Sequence, residues 1–197
     1  AASTNDTKIH PRVYEKATKL KRLILNISMD GVGKTYEYVR YPANYSVVYA
    51  NILRYNKFVK SLKNDSTLVF NFVLQVWNLH NAIEVIKTLA PLAVNSDDVS
   101  VRIEELQDPK FMQWGMLPAH YIKDVIRQIA KIEKQVQDKA TKWSIISFAK
   151  MLGAFNLYKT KDHAYQKNQL VTFMNKQDQH RRIRIQDYIP DLVDFFN

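Results

Sequence analysis

The sequence predicts an α/β fold built on a parallel sheet, and three observations carry that expectation. Strand-like and helix-like segments alternate from Pro11 to Leu106, an order that lays strands side by side under crossover helices. Thr67 to Val76 is a near-continuous apolar run, the composition of a strand covered on both faces. After Pro118 the apolar positions adopt helical spacing and keep it.

Taken in order, Pro11 to Leu20 reads as a short helix and Lys21 to Ser28 as a strand carrying Leu23, Ile24, Leu25 and Ile27. Asn44 to Leu62 is an amphipathic helix with Val47, Val48, Ile52, Tyr55, Phe58 and Val59 on its apolar side. The turn Asn64-Asp65-Ser66 leads into the strand Thr67 to Val76, and Asn81 to Leu92 is helical. A polar turn, Asn95-Ser96-Asp97-Asp98, precedes a strand from Val99 to Leu106. Pro118 opens a helix reaching Val136, with Tyr121, Ile122, Val125, Ile126, Ile129 and Ile132 at helical spacing. Helices are expected again at Lys142 to Leu157, His163 to Gln179 and Tyr188 to Phe196, the last interrupted near its start by Pro190. The expected division is therefore a sheet-bearing part, 1–138, and a helical C-terminal extension, 139–197. Three parallel strands would leave the buried-type run Leu68 to Leu74 at an open edge, which a further segment, a second subunit or a second copy must cover. The apolar loop Phe111 to Met116 is the expected contact, or else a cover for the strand ends.

Composition narrows the chemistry. With 46% hydrophobic residues in 197 the chain can bury the core of one globular domain. Its apolar runs are broken by Asn, Gln or Lys before they reach membrane-spanning length, and Ala1 to Asp6 lacks the apolar core of a signal peptide, so a soluble cytoplasmic protein is expected. Cysteine is absent, which excludes disulfides, thiolate zinc sites and cysteine-held iron–sulfur clusters on this chain. The net charge is +10, yet only Lys19-Leu20-Lys21-Arg22 and Arg181-Arg182-Ile183-Arg184 are locally dense, and neither is interleaved with aromatics. A solvated basic surface is expected rather than a nucleic-acid partner. The five histidines have no metal-ligand spacing. Glu104 and Glu105 are neighbours on a strand and so point to opposite faces, which argues against paired acid–base work. Trp77, Trp114 and Trp143 are expected as core or interface aromatics.

The densest signal is Asn26 to Pro42, where an apolar strand ends in a compact polar turn. As Ser28-x-x-x-x-Gly33-Lys34-Thr35 it is one residue short of a phosphate-binding loop. Position 28 lacks the opening glycine, Pro42 stops any following helix almost at once, and the strand at Leu68 to Gln75 ends without the acidic residue that would hold magnesium.

A second reading covers more of the chain. Ile27-Ser28-Met29-Asp30-Gly31 resembles the Ser-(Ile/Leu/Met)-Asp-Gly strand end of radical S-adenosylmethionine (SAM) enzymes, and Thr4-Asn5-Asp6-Thr7 is similar to the Thr-Asn-Gly end of the strand before it. Glu37-Tyr38-Val39-Arg40 resembles the Glu-Tyr-Ile-Arg segment of the twitch-type branch, many of whose members are phage-encoded. Phe72 to Asn81, Leu117-Pro118, and Asp178 to Arg181 with Tyr188 to Leu192 look like later segments of that branch. The resemblance implies a partial parallel (β/α) barrel with SAM at the carboxyl ends of its strands. It implies cofactor-binding roles for Asn5, Ser28, Asp30, Arg40, Gln75, Asn78 and Asn81, a guanidinium suiting the SAM carboxylate and hydroxyl or amide groups its ribose and amine. Plainer uses exist for the same residues: Ser28 and Asp30 closing a turn, Arg40 pairing with Glu37, Asn78 and Asn81 capping the next helix. The CxxxCxxC loop of that family is absent, so reductive SAM cleavage would need a [4Fe–4S] cluster from residues outside this chain. The alternative is a non-catalytic binding or structural protein that uses the same architecture as an interaction module.

Overall fold

The computed structural model describes residues 2–4, 11–62, 64–95, 100–153 and 163–196. Four parallel strands, β1 (Ala2–Thr4), β2 (Ile24–Ser28), β3 (Thr67–Leu74) and β4 (Val101–Glu105), form one sheet in the order β1-β2-β3-β4. The helices are α1 (Pro11–Ala17), α2 (Gly33–Val39), α3 (Tyr45–Ser61), α4 (Ala82–Leu89), α5 (Ala119–Glu133), α6 (Lys139–Gly153), α7 (His163–Arg181) and α8 (Val193–Phe196).

Strand register explains how the sheet is covered. Leu25 pairs with Leu68, Ile27 with Phe70, and Phe70 with Val101, so these apolar side chains share one face. All are buried, and they join the apolar stripes of α3, α4 and α6 in one continuous core. The opposite face carries Asn26, Ser28 and Asn71, with Arg102 and Glu104 exposed at β4. The same core takes in Leu170, Met174, Ile185 and Leu192 from beyond residue 139.

The expected partial (β/α) barrel is not what the chain forms. The sheet is a small open one, with β1 and β4 at its two ends. Among the described residues no strand follows β4, and α6 takes the place beside it. The reason is local. Val101 N–H, on the side of β4 turned away from β3, donates to Ser144 Oγ of α6 at 3.1 Å, so a helix satisfies a donor that a further strand would have used. The Leu68 to Leu74 run is likewise no edge, because β3 lies between β2 and β4.

Several boundaries moved by a few residues, and two segments changed character. The loop Phe111 to Met116 is wound into two short 3-10 turns that bury Trp114 and Met116. Tyr188 to Phe196 is a 3-10 turn, Pro190–Leu192, followed by the single turn of α8. Val47, expected on the buried side of α3, is 55% exposed. Among the described residues no helix is long and apolar enough to cross a membrane.

Candidate functional site

Three of the four strands end at one cleft of about 380 Å³. Asp30 lies just past β2, Gln75 just past β3 and Leu106 just past β4, forming the floor with Val73. The carboxyl ends of parallel strands are where open α/β sheets take their ligands. One wall is the end of α2, with Tyr38 and Arg40; the other is α7, with Phe173, Gln177 and Arg181. Trp77 and Met112 close the apolar side.

The turn after β2 is held by backbone-directed side chains. Asp30 is 5% exposed; its Oδ1 accepts from Val73 N–H at 3.3 Å and its Oδ2 pairs with Arg40 at 2.5 Å. Asn78 is fully buried, and its amide donates to the carbonyls of Asp30 (3.0 Å) and Val73 (2.9 Å) while its Oδ1 accepts from Gln75 N–H (2.8 Å). Asn81 Oδ1 accepts from Val32 N–H at 2.6 Å. Gly31 is packed so closely that a Cβ there would sit 3.0 Å from Tyr36 N and 3.2 Å from Asn81 Oδ1, at φ +156°. Gly31→Ala is expected to cost about 1–3 kcal/mol in thermal unfolding, and an unchanged midpoint would show that the turn yields freely.

The α7 wall is fixed to α2 by two reciprocal bonds. Tyr38 OH donates to Asp178 Oδ1 at 2.9 Å, and Arg181 Nη1 donates to the Tyr38 carbonyl at 2.9 Å. Asp178 Oδ2 also accepts from Ile185 N–H at 2.7 Å. Burial, reinforced by the Asp178 charge, pushes the Tyr38 hydroxyl far above its ordinary range, so it stays protonated as a donor. The Arg181 guanidinium also lies over the Tyr41 ring, 5.5 Å from its centroid.

Of the residues that the resemblance implies, Asp30, Arg40 and Gln75 meet in the cleft. Ser28 is the last residue of β2, in register with Asn71 and outside the cleft lining. Asn78 and Asn81 hold the loops, and neither caps the helix that follows. Asn5 lies outside the described residues. Arg40 pairs with Asp30 rather than with Glu37, which takes Lys34 at 3.0 Å and Tyr45 N–H at 3.1 Å instead. Thr35 turns inward, its hydroxyl 3.1 Å from His80 Nε2. Sequence reading missed Tyr38, Trp77, Phe173, Gln177 and Arg181 as lining residues. The four from α2 and α7 come together only through folding, and the one available signal was the pairing of Glu37-Tyr38-Val39-Arg40 with Asp178 to Arg181 in the same resemblance.

Among the described residues no cluster of His, Asp or Glu could hold a metal ion. No protein-family model matches the chain, and neither a characterised protein nor a solved structure shows significant similarity to it.

Proposed function

We propose that this is a cytoplasmic small-molecule-binding protein whose strand-end cleft takes a ligand joining a carboxylate to a flat ring, SAM being the ligand that the sequence resemblance implies. The observation that carries the reading is the meeting of two guanidinium groups, Arg40 and Arg181, with Asp30, Gln75 and the Trp77 ring in one cleft. Each guanidinium is anchored on one side, by Asp30 or by the Tyr38 carbonyl, and a guanidinium has five N–H donors, enough to keep some for a ligand. A carboxylate suits those donors, an ammonium suits Asp30, and a flat ring suits the apolar side lined by Phe173 and Met112. The donor set thus fits the zwitterionic end of SAM. It does not fit a [4Fe–4S] cluster, because the chain has no cysteine, and no redox step is assigned to these residues.

Calorimetry with SAM and S-adenosylhomocysteine tests the reading. Binding is expected in both cases, and Arg40→Ala is expected to weaken it by about 1.5–3 kcal/mol, the worth of a charged hydrogen bond. No heat from either ligand at millimolar concentration would overturn the SAM assignment.

A further inference from the structure

The helix pair α5 and α6 presents a basic outer face. Ile122, Val125 and Ile129 of α5, and Ile145, Phe148 and Leu152 of α6, are buried, and the two helices pack together. Their opposite sides are exposed, with Lys123, Arg127 and Lys131 on α5, Lys134 just past its end, and Lys139, Lys142 and Lys150 on α6. Arg127 pairs with Asp124, whereas among the described residues none of the six lysines makes an ion pair. Trp143 stands beside the α6 lysines, 43% exposed. Helical spacing puts Lys139, Trp143 and Lys150 on one stripe, since residues four and seven apart share a face.

We infer that this face binds single-stranded nucleic acid, the lysines lying along the phosphates and Trp143 stacking on a base. A row of uncommitted ammonium groups complements a polyphosphate backbone. An exposed indole ring beside them offers the stacking surface that unpaired bases use and a duplex hides. A lipid surface fits less well, because the apolar stripes of both helices are already in the core and two large apolar side chains, Ile126 of α5 and Trp143 of α6, remain outside. The lysines are three to eight positions apart along the chain, so no dense run marks them, and helix winding assembles the patch.

The test is fluorescence anisotropy of a labelled oligothymidylate with the full chain, over a range of salt concentrations. Lys139→Glu/Lys142→Glu/Lys150→Glu is expected to weaken binding by more than about tenfold and to flatten its salt dependence. Trp143→Ala is expected to weaken it at least about fivefold with the salt dependence unchanged. Lys16→Glu/Lys19→Glu/Lys21→Glu, an equal change of net charge on another surface, is expected to have little effect. Circular dichroism confirms that each variant is folded. Equal loss in both triple variants, no effect of Trp143→Ala, or binding to phosphatidylserine vesicles but not to the oligonucleotide would each overturn the inference.

Discussion

Asn78→Ala is expected to destabilise the protein by about 3–5 kcal/mol, more than any other single polar substitution near the cleft, because three buried backbone groups each lose a partner worth about 1–3 kcal/mol. The amide of Asn78 ties the carbonyls of Asp30 and Val73 and the N–H of Gln75 together, so the ends of β2 and β3 share one post. Alanine is too small to refill the space, and the side chain is fully buried, which leaves no direct route for water. Asn81→Ala, which frees only the Val32 N–H, is expected to cost about 1–2 kcal/mol. Urea unfolding of both variants checks the pair. Equal midpoints would mean that the strand ends hold their positions without Asn78.

Acid is expected to weaken the fold through His80. Burial pulls its imidazole down to about 4, with the charge of Asp191 acting in the opposite sense, from about 6.5 in an unfolded chain. Between those two values the unfolded chain takes up a proton that the folded one refuses. Stability therefore falls as the pH drops from about 6.5 towards 4, and the loss from this group levels off below. The full amount is about 3 kcal/mol for a side chain that is largely buried. The site shows why the charge is unwelcome: Nε2 meets the buried Thr35 hydroxyl, and Nδ1 has no hydrogen-bond partner among the described residues. Chemical unfolding at pH 7 and pH 5 should show the slope in the parent and a much smaller one in His80→Gln. An equal slope in both would assign the acid sensitivity elsewhere.

The alternation of strands and helices was legible because burial imposes it directly on the order of residues. Leu68, Phe70, Phe72 and Leu74 are fully buried on one face of β3, and the apolar run announced them. The helical spacing of Ile122, Val125 and Ile129 announced the inner side of α5 in the same way. What periodicity left open was the neighbour of each strand. A strand's pattern states how deeply it is buried and is silent on what buries it, so the run at Leu68 to Leu74 read as an edge in need of a partner chain, while the fold places β2 and β4 beside it and sets α6 along β4. The site divides along the same line. Asp30 and Gln75 lie just past strand ends, and the sequence marks such places with polar residues after an apolar run, while Arg40 closes the short helix α2 that follows the first of them. Phe173, Gln177 and Arg181 sit on a helix whose face toward the cleft is mixed in character, and no local pattern separates them from solvent-facing positions.

Tyr38 and Arg181 are joined across 143 positions of chain, and that span sets an order of events during synthesis. The strands, their covering helices and the turn at Asn78 lie within the first 153 residues, and long-range contacts form only after the intervening chain has been made and closed. A nascent chain can thus assemble its sheet and the part of the core formed with α3 to α6 while the cleft still lacks one side. The cleft gains its second wall only when the segment around Asp178 to Arg181 has emerged from the ribosome and docked. A product terminated before α7 would keep most of the scaffold and present an open floor, so translation itself separates the folding of the sheet from the completion of the cleft.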